Sequence, residues 1–354
     1  MKTRLPVRAA ILKRKTYEAP AEARANKIRL DFNENTAGCG PAVLRALAKL
    51  TPQQLAMYPE YQEPTARIAR HLGVRTEELL LTNGGDDALR VFFDTFVEPR
   101  SHILICEPTF PMYRYYAEIS GARIEVCRYD AQQRFPLNEV LSALREKPRV
   151  FFLANPNNPT GTFVEQHALR KILKAARNTV VVFDEAYAEF SGFSTVPWIR
   201  RYRNLFIART FSKAAGLAAL RLGAVIANKD SLAFVRRAMP PFPVNLAALI
   251  AAEAALSDTK TILAYVLGVQ LMRESFAGAL QKLGIITFPS RGNFLLANFG
   301  PTGPALFAKL ERKGILLRDR SRDMGPGFVR ITIGTPAEMK TLLREIQRIW
   351  KKGA

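Results

Sequence analysis

Six short apolar runs alternate with helical patterns through the middle of the chain, and this alternation restricts the fold more than any other feature. The runs are HILICEP at 102–108, ARIEVCRYD at 122–130, RVFFLANP at 149–156, TVVVFDEAY at 179–187, NLFIART at 204–210 and LGAVIANK at 222–229. Between them, segments such as EQHALRKILKAAR at 165–177 repeat apolar residues at three- and four-residue spacing, the mark of a helix with one buried face. Strands written as near-continuous Val, Ile and Phe are covered on both faces, which a mainly parallel sheet between helices achieves. The fold class is therefore α/β. In such sheets ligands gather at the carboxyl ends of the strands. Chemistry is expected in the polar stretches that follow the runs, at 155–158, 184–187 and 210–213.

After Pro243 the pattern changes to a long Ala-rich helical stretch, then to NFLLANF, GILLRDR and GFVRITIG, with a last amphipathic helix near 339–352. This predicts a smaller α+β unit. The expected division is an arm at 1–35 contributing to the small domain and to dimer contacts, a large domain at 36–245 and a small domain at 246–354. The longest apolar runs, 217–227 and 244–256, are cut by Arg221 and Glu253, so a membrane span is not expected. The basic opening MKTRLPVRAAILKRK has no apolar core of a secretory signal, and the expected location is the cytoplasm. Cys39, Cys106 and Cys127, like His71, His102 and His167, lack ligand spacing, so neither a disulfide framework nor a metal is expected. Net charge is the unusual bulk property: +21, with nine Lys/Arg against Glu18 and Glu22 in the first thirty residues. Such a balance suits polyanions or phosphorylated small molecules. Elsewhere, however, basic residues are interleaved with acids along helices, as in LREIQRIWKK, and no nucleic-acid-binding signature is present.

In TVVVFDEAY, Asp184 ends an apolar strand and needs a partner to stay ionised, which a cationic heterocycle nitrogen would supply; Tyr187 lies within reach of the same ligand. Lys213 follows twenty-nine residues later among Ser, Ala and Gly, with Arg221 eight residues beyond. A desolvated lysine forms a Schiff base with an aldehyde, while Ser212 and Arg221 offer a hydroxyl and a guanidinium fork to a phosphate. In LTNGGDDALRVFF, Gly84 and Gly85 permit close backbone approach and Asp86 opens a helix whose free N–H groups favour an anion. Finally, ANPNNPTG makes a rigid turn after a strand and presents Asn158. Each element alone is common; the four in this order are not.

Together they resemble the fold-type I pyridoxal-phosphate aminotransferases, from about Arg29 to the C-terminus. Within them the likeness is to the histidinol-phosphate aminotransferase family: LDFNEN is similar to its NEN segment, MYPE to its YPD, EPTFPMY to its PT(Y/F)xxY, and LLRDRSRDMGPGFVRITIGTP to its tail. The resemblance implies pyridoxal 5'-phosphate as cofactor, with Lys213 as Schiff-base lysine and proton shuttle, Asp184 on the ring nitrogen, and Tyr187 and Asn158 on the phenolic oxygen. It places Phe110 against the ring. Around the phosphate it places Gly84, Gly85, Asp86, Ser212 and Arg221, joined by Tyr58 from the second subunit of a homodimer. For the substrate it implies Arg330 and Arg318, with Tyr17 as a lid and Asn33 at the border. Thr36, Gly85, Asp87, Ala215 and Ala219 depart from the family's usual residues, and at Gly85 a hydroxyl is missing from the phosphate cradle.

The function implied is amino transfer in histidine biosynthesis, between a phosphorylated or aromatic amine, histidinol phosphate first, and 2-oxoglutarate, yielding glutamate. The alternatives on the same scaffold are an aromatic amino-acid aminotransferase and a threonine-phosphate decarboxylase. A different class, an idle cofactor- or nucleic-acid-binding protein, is opposed by retention of Asn158, Asp184, Tyr187, Lys213 and Arg221 together.

Overall fold

The structure, a computed structural model, describes residues 5–12 and 24–350. Its strands are β1 (Ile28–Leu30), β2 (Leu79–Thr82), β3 (His102–Glu107), β4 (Arg123–Arg128), β5 (Val150–Ala154), β6 (Val180–Asp184), β7 (Leu205–Thr210), β8 (Gly223–Ala227), β9 (Ile286–Phe288), β10 (Phe294–Asn298), β11 (Ile315–Asp319) and β12 (Phe328–Thr332). Seven of them form one sheet in the order β2-β8-β7-β6-β5-β3-β4, parallel except that β8 runs against both neighbours. All six apolar runs of the sequence are strands of this sheet.

Its strands bury alternate residues on opposite faces, as a period of two requires. Phe151, Phe183 and Ile207 enter one core, whereas Phe152, Val182 and Phe206 enter the core on the other side. Each such fully buried side chain contributes about 1.5–3 kcal/mol relative to exposure. In register, Asp184 at the end of β6 lies between Ala154 and Ala208. Two methyl neighbours leave open space beside this carboxylate at the carboxyl end of the sheet.

A second sheet runs β1-β11-β12-β10-β9, with β1 parallel to β11 and the other pairings antiparallel. The helices Thr259–Gln281 and Pro336–Trp350 cover it with Phe276, Leu280, Leu342 and Ile346. The last helix begins three residues before Met339 because Thr335 and Glu338 cap each other: the Glu338 N–H donates to Thr335 Oγ1 at 3.4 Å, and the Thr335 N–H to Glu338 Oε2 at 2.7 Å.

The Ala-rich helix Leu246–Ser257 behaves differently from the expected division at residue 246. Ala248, Ala251, Ala252 and Ala255 pack into the core of the large sheet, against the helices Pro41–Leu47 and Gln62–Leu72. Its alanines let it lie close to two neighbours, and its leucines and isoleucine are spread around it, so its composition carries no sign of which core it enters.

Candidate active site

A cavity of about 420 Å³ opens at the carboxyl ends of β5, β6 and β7, and its far wall comes from β11 and β12 of the second sheet. Gly85, Asp86, Phe110, Asn158, Asp184, Tyr187, Ser212, Lys213, Arg221, Arg318 and Arg330 all line it. Residues separated by up to 245 positions therefore meet in one space.

At its floor, the Asp184 carboxylate accepts the Tyr113 hydroxyl at 2.7 Å and the Ala186 N–H at 3.0 Å. Burial raises its pKa to about 6, against the lowering effect of those two bonds, and the negative charges of Asp86 and Glu185 add to the rise. Lys213 leaves the loop after β7, and its Nζ donates to the Phe32 carbonyl at 3.0 Å. Burial, helped by the positive charge of Arg330, lowers its pKa to about 8. The amine is thus far easier to deprotonate than a surface lysine, as a nucleophilic amine requires.

One end of the cavity is built for an anion. The helix Gly85–Phe96 points its N-terminus there, and Gly84 before it has φ 84° and ψ 175°. A Cβ on Gly84 would stand 2.5 Å from Arg221 Nη2, so the guanidinium occupies space that only glycine leaves. Arg221 itself has φ 57°, and its Nη2 reaches Asp86 Oδ2 at 3.3 Å. Ser212 lies beside it, its Oγ accepting the Thr210 hydroxyl at 2.9 Å. Asp87 turns away: it accepts the Asn83 N–H at 2.9 Å and pairs with Arg90 at 2.8 Å.

At the opposite wall, Arg330 Nη1 donates to Asn158 Oδ1 at 2.6 Å and Nη2 to the Asp31 carbonyl, while Nε is buried with no hydrogen-bond partner among the described residues. Burial lowers its pKa to about 10, and the nearby charges of Arg320 and Arg318 add to the fall. Since Asn158 spends its oxygen on Arg330, its amide N–H groups remain to donate into the cavity. Arg318 stands directly across the ladder from Arg330.

Three expected site residues are not in the cavity wall, and a fourth is not among the described residues. Gly84 lies just behind it, under Arg221. Tyr58 is 79% exposed and stacks on Phe242 at 4.5 Å, outside the lining of the cavity. Tyr17 lies outside the described residues. Asn33 corrects the expectation that it borders the substrate: it is 1% exposed and sits behind Tyr187, to whose hydroxyl its Nδ2 donates at 2.8 Å. Sequence reasoning also missed residues. Glu34, Arg209 and Arg320 line the cavity, and Tyr113, fully buried, holds Asp184. Tyr113 lay in view within EPTFPMY, but only the strand order shows that it meets Asp184.

Residues 25–346 match the family model of aminotransferase class I and II. The chain belongs to this family. Class I and II aminotransferases are pyridoxal-phosphate enzymes, and this aminotransferase is one by descent. It is 37% identical over 333 residues to a histidinol-phosphate aminotransferase of Geobacillus sp. (strain WCH70), covering 92% of this chain and 90% of that one. It shares its fold with the histidinol-phosphate aminotransferase of Sinorhizobium meliloti, solved in complex with pyridoxal-5'-phosphate, at TM-score 0.90 and 23% identity over the whole of both chains. The L-threonine-O-3-phosphate decarboxylase of Porphyromonas gingivalis is also similar: TM-score 0.80, 26% identity, 92% of this chain and 99% of that one.

The residues present fit the cofactor. A half-buried carboxylate with no cationic partner among the described residues suits a ring N–H⁺, a glycine-backed guanidinium beside helix N–H groups suits a phosphate, and a depressed lysine suits an aldehyde. Among the described residues no cluster of His, Cys, Asp and Glu could hold a metal ion, and no helix is long and apolar enough to cross a membrane.

Proposed function

We propose that this aminotransferase moves the amino group of histidinol phosphate to 2-oxoglutarate, as a homodimer in the cytoplasm. The observation that carries the substrate class is the arginine wall: Arg318 and Arg320 stand beside Arg330 on the cavity, opposite the phosphate end that the cofactor would take. A second anion-binding site here, with Arg320 also paired to Asp323, suits a donor that brings its own phosphate, and a dicarboxylate acceptor in the other half of the cycle.

Pyridoxal phosphate would supply an aldehyde for the amine and a ring that takes up electrons when the α-carbon loses its proton. The chain supplies the rest. Lys213 Nζ, neutral for an appreciable fraction of the time near pH 8, takes the proton from the α-carbon and returns it. Asp184 would hold a proton on the ring nitrogen. Tyr187 and Asn158 would donate to the phenolic oxygen, with Phe110 against the ring. Gly85, Asp86, Ser212 and Arg221 would hold the phosphate, and Tyr58 of a second copy of the chain would complete the cradle. Arg330 would orient the substrate's anionic group, with Arg318 beside it.

The test is the absorption spectrum of the cofactor-loaded protein titrated in turn with histidinol phosphate, glutamate, phenylalanine and threonine phosphate. Bleaching of the yellow cofactor to its aminated form by histidinol phosphate and glutamate supports the proposal. Bleaching by phenylalanine but not histidinol phosphate moves the enzyme to the aromatic group. Release of CO2 from threonine phosphate, without amino transfer, favours the decarboxylase reading suggested by the Porphyromonas neighbour.

A further inference from the structure

Asn33 occupies an unusual junction. Its backbone is left-handed at φ 55°, a conformation asparagine tolerates better than most residues. Its N–H donates to Thr332 Oγ1 at 2.9 Å, its carbonyl accepts Asn293 Nδ2 at 3.0 Å, and its Oδ1 accepts the Thr332 hydroxyl at 3.2 Å. That leaves its Nδ2, which donates to the Tyr187 hydroxyl at 2.8 Å. The amide orientation follows from the network, because Thr332, already accepting from the Asn33 N–H, has its own proton to give to Oδ1.

A tyrosine hydroxyl carries one proton. Since Tyr187 accepts from Asn33 on the buried side, its own proton is free to point into the cavity. We propose that Asn33 is a positioning residue that commits the Tyr187 hydroxyl to donate toward the cofactor's phenolic oxygen, and that it ties this donor to β12, two residues from Arg330. The inference rests on the proposed role of Tyr187. The junction joins the substrate-binding strand to the hydroxyl that sets the cofactor's basicity, through one buried side chain.

The test compares the wild type, Tyr187→Phe, Asn33→Asp, Asn33→Gly and the double variant Asn33→Asp/Tyr187→Phe, each loaded with pyridoxal phosphate. The visible band is titrated against pH without substrate, and the dissociation constant of the cofactor is measured by its fluorescence. Asn33→Asp preserves the acceptor for Thr332 but turns the donor facing Tyr187 into an acceptor, which draws the tyrosine proton away from the cavity. Asn33→Gly suits the left-handed backbone and removes the partner altogether. The other charges acting on Tyr187, namely Arg330 on β12, Asp184 at the end of β6 and Asp86 in the helix after β2, are the same in every variant. Removing a donor from the phenolic oxygen makes the cofactor hold its proton more tightly, so the midpoint rises.

The expected result is a rise of about one pH unit in both Tyr187→Phe and Asn33→Asp, the tenfold effect of one ordinary hydrogen bond. The double variant shows no further rise, and Asn33→Gly falls between wild type and Asn33→Asp. Melting of the cofactor-free variants separates folding from positioning. A wild-type midpoint in Asn33→Asp, with a raised one in Tyr187→Phe, overturns the inference and leaves the reading of the site intact; full addition of the two shifts also overturns it. A midpoint unmoved by Tyr187→Phe overturns the role of Tyr187 and the inference with it.

Discussion

Removal of one buried oxygen, by Tyr113→Phe, tests how the floor of the site works. Tyr113 is fully buried, stacks on Phe152 at 5.5 Å, and meets Phe110 edge-on at 5.9 Å. Phenylalanine fills the same space, so the change is confined to the 2.7 Å hydrogen bond to Asp184. A hydrogen bond to a charged group is worth about 1.5–3 kcal/mol, and one pKa unit about 1.4 kcal/mol. The Asp184 pKa, raised by burial to about 6, then moves to about 7–8 in the variant. At pH 7 the ionised fraction falls from about nine-tenths to between a half and a tenth. If the ring nitrogen binds only the ionised carboxylate, the apparent dissociation constant of pyridoxal phosphate rises by about two- to tenfold at pH 7. By pH 9 the carboxylate is ionised in both proteins, and the ratio of the two constants returns toward one. Groups on the cofactor titrate alike in both, so the ratio isolates Asp184. The assay is cofactor fluorescence at pH 6, 7, 8 and 9, repeated in an Asp184→Asn background where the effect should vanish. A ratio that is flat across pH, or one that persists in that background, would refute the reasoning.

Three further outcomes follow from the geometry. Gly84→Ala puts a Cβ 2.5 Å from Arg221 Nη2 on a backbone at φ 84°; displacement of the guanidinium should weaken cofactor binding tenfold or more, read by the same fluorescence, and lower the melting temperature. In Arg330→Lys a single ammonium cannot serve both Asn158 and the Asp31 carbonyl, as the guanidinium does, so steady-state kinetics should show KM for donor and acceptor rising by about ten- to a hundredfold. Lys213→Met should stabilise the cofactor-free protein. The folded-state pKa of Lys213 is lowered from 10.5 to about 8, so below pH 8 the folded chain carries a buried ammonium that costs about 3 kcal/mol relative to the unfolded one. The wild type regains this as pH rises from about 8 to 10.5. Urea denaturation of the two proteins should therefore differ most at pH 7 and converge by about 1.4 kcal/mol per pH unit above 8.

Much of the site was legible in the sequence because its parts are local punctuation at strand ends. Asp184 closes an unbroken apolar run, Gly84 and Gly85 separate a strand from a helix, and Lys213 sits in a small-residue loop after another strand. A motif of this kind is read from its neighbours in the chain, and the fold puts all such ends on one edge of a parallel sheet. The Ala-rich helix Leu246–Ser257 was harder, since a segment apolar on every side has no face from which to infer its partner.

The residues that position the motifs were not legible, and the reason is physical. Tyr113 and Asp184 are 71 residues apart, and meet because β5 separates β3 from β6 by one strand. Asn33 and Tyr187 are 154 apart, and meet because the arm carrying β1 joins the second sheet and lays its next residues against the first. The family resemblance placed Asn33 beside the substrate, and its neighbours do line the cavity: Phe32 and Glu34 on either side of it face inward. The chain turns at Asn33, whose backbone is left-handed at φ 55°, and this turn directs its side chain away from the cavity that its neighbours face, toward whatever supports the wall. At Asn33 that support is a hydroxyl with one proton to give. The direction in which that proton points is decided by a side chain that never touches the cavity, and no pattern in either segment alone contains it.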